Sequence, residues 1–347
     1  MTEKMQSQPE QRAPAAATPR RAFQASRVLA LLACLVCSGP LSAQDVDPAV
    51  LALGAGFVSK TDVVDGALLH YVRGGSGPAV ILLHGFPEDW FVFRKIMPML
   101  AKRYTVVAVD LRGIGGSAPT ASGYDAGTMA LDIERLAAKL QLNRPYLVGH
   151  DIGGLVSYDA ARCFPSAIRG VMLLDVPVPG TDTWAKVKAS PLVWHFGFLQ
   201  TPGLAEKLLP GREAAFFQYG FFDRSLLRKD TVAKADIERY ATAYAAPDHL
   251  KAALDIYRAF DADEAFNLSH KERTEIPLAL VGGDKGFGPL LGGLAQDLHS
   301  LGWTTISTDI VPDSGHYVVD EQPGVVAELI EHYAATRRDN ESKHPGR

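Results

Sequence analysis

The stretch YLVGHDIGG at residues 146–154 decides the fold of this chain. Pro145–Val148 reads as a buried strand, the glycines after it predict a tight turn, and Leu155–Cys163 is typical of a helix. A strand that runs into a helix through such a turn exposes one side chain, here Asp151, above a parallel sheet. The pattern therefore predicts a functional carboxylate, the alternative being that Asp151 only caps the helix.

A carboxylate on this turn restricts the chemistry that the site can perform. A serine in this place would indicate ester hydrolysis through an acyl intermediate, which Asp151 cannot form in a stable way. A carboxylate can attack an sp³ carbon, and water then splits the alkyl ester that results. The expected substrates carry a strained ring or a carbon–halogen bond.

The composition is that of a soluble globular protein. The chain has 347 residues, of which 47% are hydrophobic and 21% charged, and its formal net charge is −4. This length fits one large domain with an insertion, and the lack of a basic cluster argues against a nucleic-acid partner. The cysteines do not have the spacing of a zinc site, so we expect neither a metal nor an organic cofactor.

The N-terminus has the features of an export signal. Several arginines precede an apolar run over residues 28–37, and a small-residue cleavage site ends at Ala43. The run is too short for a stable membrane span, so residues 1–43 are predicted to be removed and the protein exported, periplasmic or secreted. The export route, general secretory or twin-arginine, and an uncleaved tail stay open. After cleavage only Cys163 remains, which excludes an intramolecular disulfide.

Apolar runs alternate with helical stretches along most of the chain, which predicts an α/β protein with a mostly parallel sheet. Ala67–Arg73 alternates like an edge strand. The other predicted strands are Ala79–Leu83, Thr105–Val109, Pro145–Val148, Ile168–Leu174, Pro277–Val281 and Thr305–Val311. The main predicted helices are Thr128–Leu140, Leu155–Cys163 and Val325–Tyr333.

This alternation stops after the sixth strand of the expected sheet. Residues 178–267 contain aromatic-rich helical segments, such as Glu213–Phe222, instead of strand-like runs. We predict a helical lid there, inserted between a first core part at 50–177 and a second at 268–336. Residues 337–347 are polar and are expected to form a flexible tail.

Four motifs resemble one branch of a known superfamily. His84–Pro87, Asp110–Ser117, Gly149–Gly154 and Ser314–His316 together resemble the epoxide hydrolase and haloacetate dehalogenase branch of the α/β-hydrolases. The resemblance extends from about Gly56 to Tyr333. It implies an α/β-hydrolase fold, a mostly parallel sheet flanked by helices with an inserted helical lid.

The same motifs supply candidate catalytic groups. The backbone N–H groups of Phe86 and Ile152 would form an oxyanion hole beside Asp151. His316, after the last strand, would activate the water that splits the ester. Family members place the acid that orients this histidine after the sixth or the seventh strand. Asp175 fits the first place and is the expected acid. Asp284 is the alternative, near the second place but two residues before the usual position, which is Gly286.

Residues of the predicted lid distinguish epoxide hydrolases from dehalogenases within this branch. The segments around His195 and Tyr257 resemble Cif-type epoxide hydrolases, which implies that these side chains donate hydrogen bonds to the epoxide oxygen. Either side chain could instead be packed within the lid. Three further tyrosines are substitutes for Tyr257, namely Tyr219, Tyr240 and Tyr244.

A dehalogenase is the rival interpretation. Haloacetate dehalogenases carry arginines after the nucleophile and a tryptophan after the lid histidine, whereas this chain has Ile152, Leu155 and Phe196. Haloalkane dehalogenases usually place tryptophan where Ile152 stands. We therefore expect an epoxide hydrolase that uses water on a small apolar epoxide and forms vicinal diols. A non-catalytic binding module is the weaker alternative, and a homodimer is left open.

Overall fold

The computed structural model describes residues 47–335, which form a sheet of eight strands with helices on both faces. The predicted export signal and the predicted tail lie outside these residues. The strands are β1 (Val58–Val64), β2 (Ala67–Gly75), β3 (Ala79–Leu83), β4 (Thr105–Val109), β5 (Tyr146–His150), β6 (Gly170–Leu174), β7 (Leu278–Gly283) and β8 (Ile306–Val311).

The strand order is β1-β2-β4-β3-β5-β6-β7-β8. β2 pairs antiparallel with β1 and with β4, and every other pairing is parallel. The carboxyl ends of β3 to β8 therefore share one edge of the sheet. Loops that leave neighbouring parallel strands at this edge can bring residues distant in sequence into one site.

The central strands are buried on both faces, which explains their nearly continuous apolar sequences. Every residue of β3 to β7 is buried. Ile81 and Leu83 face one apolar cluster, and Val80 and Leu82 face a second cluster on the opposite side. The sheet is thus held rigidly between two helical layers.

Helices cover the sheet and occupy the segment predicted to be the lid. Outside the lid they are α1 (Pro48–Ala52), α2 (Met97–Leu100), α3 (Ala126–Lys139), α4 (Ile152–Cys163), α13 (Leu291–Ser300), α14 (Val318–Glu321) and α15 (Pro323–Ala335). Between β6 and β7 they are α5 (Asp182–Lys188), α6 (His195–Gln200), α7 (Leu204–Leu208), α8 (Glu213–Phe217), α9 (Asp223–Ser225), α10 (Lys234–Tyr244), α11 (Pro247–Arg258) and α12 (Phe260–Ser269). α12 thus continues to Ser269, past the predicted lid boundary at 267.

The prediction that Ala67–Arg73 is an edge strand is wrong. β2 lies between β1 and β4, and β1 forms the outer edge. Most residues of β1 are exposed, so its sequence lacks the apolar alternation that reveals a strand. Over residues 47–335 no helix has the length and apolarity needed to cross a membrane.

Candidate active site

Asp151 occupies the turn between β5 and α4, as the sequence predicts. Its φ is +50° and its ψ is −120°, a conformation that costs roughly 1–3 kcal/mol in a residue with a side chain. The turn is possible because Gly149 lacks a side chain: a Cβ there would lie 2.0 Å from the carbonyl oxygen of Gly153. The glycines of this stretch therefore serve to place the Asp151 carboxylate above the sheet.

The Asp151 carboxylate lies close to two of the predicted site residues, Phe86 after β3 and His316 after β8. Its Oδ1 accepts a hydrogen bond from the Phe86 N–H at 3.1 Å, and its Oδ2 lies 3.8 Å from Nε2 of His316. Ile152 is the first residue of α4 and lines the same cavity. Because the first N–H groups of a helix have no partner within it, the Ile152 N–H is placed to serve as a second donor.

His316 is oriented by Asp175. Its Nδ1 lies 2.8 Å from Oδ2 of Asp175, which directs Nε2 towards Asp151. Asp175 Oδ1 accepts hydrogen bonds from the backbone N–H groups of Gly283 at 2.7 Å and Phe287 at 2.9 Å. The acid is fully buried, and these bonds fix its oxygen atoms.

The alternative acid, Asp284, does not reach His316. Asp284 Oδ1 accepts the N–H of Ser314 at 3.1 Å and so braces the loop before His316. An acid at the usual position, 286, would be crowded by Asp175. A Cβ at position 286 would lie 2.5 and 2.6 Å from the two carboxylate oxygens of Asp175. The structure therefore brings Asp175, and not Asp284, into contact with the base.

A cavity of about 560 Å³ opens above Asp151. His195 from α6 and Tyr257 from α11 both line it, with ring centroids 5.9 Å apart. The Tyr257 ring also packs edge-on against Phe86, at 5.4 Å between centroids. The other aromatic residues that line the cavity are Trp184, Phe196, Phe221, Phe260, Phe287 and Tyr317.

Burial sets the protonation states of the two lid residues. It lowers the pKa of His195 to about 4, against the opposing effect of the Asp151 charge, so this imidazole is neutral at pH 7. Burial, together with the Asp151 charge, raises the pKa of Tyr257 well above its usual value. Each side chain can therefore donate a hydrogen bond into the cavity without carrying a charge.

The substitutes for Tyr257 do not line the cavity. Tyr219 is 69% exposed, whereas Tyr240 and Tyr244 are buried. The Tyr244 hydroxyl donates to the carbonyl oxygen of Glu88 at 2.7 Å. Among the four tyrosines considered from the sequence, Tyr257 is thus the one that faces the cavity.

The sequence analysis missed a buried ion pair below the site. His150 Nδ1 lies 2.9 Å from Glu88 Oε2, and its Nε2 lies 2.9 Å from the carbonyl oxygen of His316. Burial opposes a charge on His150, but the Glu88 carboxylate raises its pKa to about 9. A protonated His150 donates to both acceptors and so ties the base to the strand that carries Asp151. The only sequence signal was that His150 lies within the motif Gly149–Gly154 and that Glu88 directly follows the motif His84–Pro87.

Other motif residues brace the loops around the site. His84 Nε2 accepts the N–H of Leu111 at 3.0 Å, and Arg112 makes two hydrogen bonds with Asp132, at 2.6 and 2.7 Å. Asp110 Oδ1 accepts the N–H of Trp90 at 2.7 Å. These contacts fix the backbone and leave the side chains away from the cavity.

The positions that distinguish dehalogenases are apolar here. Ile152, Leu155 and Phe196 all line the cavity, and none has a side-chain N–H to hold a halide or a carboxylate. Trp184, the one tryptophan among the described lining residues, donates its Nε1–H to Glu264 at 2.7 Å. No cluster of potential metal ligands occurs in the part of the chain that the structure describes.

Known proteins resemble this chain over most of its length. A fluoroacetate dehalogenase of Burkholderia sp. is 28% identical over 82% of this chain and 95% of its own. A soluble epoxide hydrolase of Corynebacterium sp. (strain C12) is 26% identical over 80% of this chain and 96% of its own. The crystal structure of wild-type Cfl2 from Burkholderia cenocepacia is 31% identical, with a TM-score of 0.75, over 80% of this chain and 96% of that one.

The predicted fold and family are therefore confirmed. Residues 80–329, which include Asp151, Asp175 and His316, match the Alpha/beta hydrolase family. This match covers more than half of the chain and contains most of the sheet described above. The chain belongs to the alpha/beta hydrolase family.

Proposed function

We propose that this protein is an epoxide hydrolase that converts epoxides to vicinal diols through an ester of Asp151. One carboxylate oxygen of Asp151 attacks a ring carbon, and the carbon–oxygen bond of the ring breaks. His195 and Tyr257 donate hydrogen bonds to the developing alkoxide, which takes up the proton of the Tyr257 hydroxyl. Two donors aimed at one oxygen in a dry cavity stabilise this charge by several kcal/mol, about 3 for each donor.

The second step hydrolyses the ester. Water, deprotonated by Nε2 of His316, adds to the Asp151 carbonyl carbon, and the N–H groups of Phe86 and Ile152 receive the oxyanion. As this intermediate collapses, the expelled oxygen of the product takes the proton from the His316 imidazolium, and the diol leaves. The Asp151 carboxyl group then ionises, and its proton restores the Tyr257 hydroxyl. Asp175 stabilises the imidazolium that forms on His316 during the step.

The observation that carries this proposal is the placement of two neutral donors, His195 and Tyr257, in the cavity that contains Asp151. Epoxide opening keeps the oxygen on the product, so it needs donors at that oxygen. Dehalogenation expels a free anion and needs a halide cradle, and for haloacetates a clamp on the carboxylate. Ile152, Leu155 and Phe196 supply neither.

The relatives support both members of the branch. The Corynebacterium relative is named as an epoxide hydrolase and the Burkholderia relative as a fluoroacetate dehalogenase. Their sequence identities to this chain are nearly equal, so the relatives do not discriminate between the two reactions. The residues that line the cavity favour the epoxide reaction. A haloacetate dehalogenase is the second candidate.

The covalent step is tested by isotope labelling and by trapping. Single turnover in ¹⁸O-labelled water should place the label in the Asp151 carboxylate, since the first diol takes its new oxygen from the enzyme. His316→Gln should accumulate an alkyl-enzyme visible by intact mass spectrometry, and Asp151→Asn should form none. Label that appears only in the diol would exclude the ester.

The reaction class is tested with a substrate panel. Styrene oxide and aliphatic epoxides should give diols, whereas fluoroacetate, chloroacetate and a haloalkane should release negligible halide. Rapid fluoride release without epoxide turnover would overturn the proposal in favour of the dehalogenase.

Three further features belong to the proposal. We propose cleavage near Ala43 followed by export, which N-terminal sequencing of the secreted or periplasmic protein would test. The lid at 178–267 stays a predicted domain, to be checked by limited proteolysis. A homodimer stays a prediction, to be checked by light scattering.

A further inference from the structure

Two charged residues of the cavity lining, Arg224 and Lys285, take no part in the proposed mechanism, and Arg224 is the one without a carboxylate nearby. It belongs to the lid helix α9 and lines the cavity with Asp151 and Tyr257. Other arginines of the protein bind carboxylates, as Arg112 binds Asp132 and Arg258 binds Glu206. Within residues 47–335, the guanidinium of Arg224 makes no hydrogen bond or ion pair with a protein group.

The backbone around Arg224 is held against the loop of the catalytic base. The carbonyl oxygen of Ser225 accepts the N–H of His316 at 2.9 Å. Two and three residues later, the N–H groups of Leu227 and Arg228 donate to Oε2 of Glu321 at 2.8 and 2.7 Å. The position of Arg224 relative to the reacting groups is therefore fixed at its backbone.

Exposure shows that Arg224 lies at the opening of the cavity. Tyr257, deep in the cavity, is 3% exposed, whereas Leu192 and Leu227, which also line it, are 76% and 44% exposed. Arg224 is exposed as well. The opening thus combines apolar surface with an arginine.

The other charges of the lining are already engaged. Asp175 binds His316 and two backbone N–H groups, and Lys285 lies 3.6 Å from Oδ2 of Asp284. Asp151 must stay free to attack and repels any anion close to the reacting carbon. Arg224 can offset this repulsion only for a substrate whose negative group lies at the opening, away from the epoxide.

We propose that Arg224 is an anion subsite and that the preferred substrates are epoxides with a carboxylate separated from the ring by an apolar body. This proposal rests on the proposed epoxide hydrolase function. The planar guanidinium can bind a carboxylate through two parallel hydrogen bonds. The apolar body of the substrate would lie against Leu192 and Leu227 as it enters.

A matched pair of substrates tests the subsite. Styrene oxide and its 4-carboxylate share one skeleton and differ in the anion. Arg224→Gln should lower kcat/KM about five- to thirtyfold for the carboxylate and less than twofold for styrene oxide. Comparing each substrate between enzymes cancels the difference in their intrinsic reactivity. Arg212→Gln, which removes a lid arginine outside the cavity lining, should change neither value.

Two results would overturn the subsite: an unchanged kcat/KM for the carboxylate in Arg224→Gln, or an equal loss for both substrates. Binding separates the subsite from the reaction. By NMR titration, 4-ethylbenzoate should bind more tightly than 4-ethylbenzamide to the wild type, and Arg224→Gln should remove the difference. If this holds although no epoxide is turned over, the subsite stands and the proposed function fails. Equal binding of both compounds to the wild type rejects the subsite.

Discussion

Asp175→Asn is the sharpest test of how the base is oriented. Asp175 Oδ1 accepts two backbone N–H groups, so an asparagine must keep its oxygen there. Its NH₂ group then faces Nδ1 of His316, 2.8 Å away in the wild type. Two donors cannot face each other, so Nδ1 must become the acceptor and the ring proton moves to Nε2. In this tautomer Nε2 cannot take a proton from water.

Asp175→Asn should slow only one of the two steps of the reaction. Hydrolysis of the alkyl-enzyme should slow by about a thousandfold, which corresponds to about 4 kcal/mol of transition-state stabilisation. Alkylation needs no base, because the attacking group is a carboxylate and not a hydroxyl, so the rate of alkylation should change less than about threefold. Asp284→Asn is the matched control, since its side-chain oxygen can still accept the Ser314 N–H.

Rapid quenching followed by intact mass spectrometry measures both steps with one epoxide. Asp175→Asn should accumulate the alkyl-enzyme, and Asp284→Asn should turn over at a rate within about threefold of the wild type. The reasoning is refuted if Asp175→Asn hydrolyses its ester less than tenfold more slowly than the wild type. It is also refuted if Asp284→Asn is the more damaged variant, which would place the acid after β7.

Three further predictions concern the lid and the packing around the acid. His195→Ala and Tyr257→Phe should each slow alkylation by about tenfold to a thousandfold in single turnover, with little effect on ester hydrolysis; equal slowing of both steps would contradict their roles as donors. Burial raises the pKa of Asp263 to about 7, far above its unfolded value, so stability is lost as the pH rises from about 4 to 7. Asp263→Asn, which can still accept the Ala126 N–H, should therefore raise Tm by several degrees at pH 8 and hardly at all at pH 4; a Tm difference independent of pH would exclude this cause. Gly286→Ala should displace the Asp175 carboxylate and lower turnover at least about tenfold, and normal turnover would show that the loop relaxes.

The parts of the fold with strong local signals could be predicted from the sequence. Ala79–Leu83 and Thr105–Val109 match β3 and β4 to the residue, because strands buried on both faces must be apolar throughout. The exposed strand β1 carries no such signal and was missed. Asp151 and His316 were recognisable because each lies in a motif at a strand end.

Contacts between distant parts of the chain could not be predicted in this way. His150 and Glu88 are 62 positions apart and meet because β3 and β5 are neighbours in the sheet. The glycine at position 286 favoured Asp175 over Asp284 as the acid, but the close approach of Gly286 to the Asp175 carboxylate is visible only in the structure. Local patterns therefore indicate the chemical groups, and the strand order determines which of them meet.

The crowding between Asp175 and Gly286 also restricts how such a site can change during evolution. A side chain at position 286 and a carboxylate at position 175 compete for one space, so an acid added at position 286 would have to displace the one at position 175. A single replacement gives either a crowded site or a site without an acid. Relocation of the acid from one strand to the other therefore requires a paired exchange, and a redesign that moves it must change both positions together.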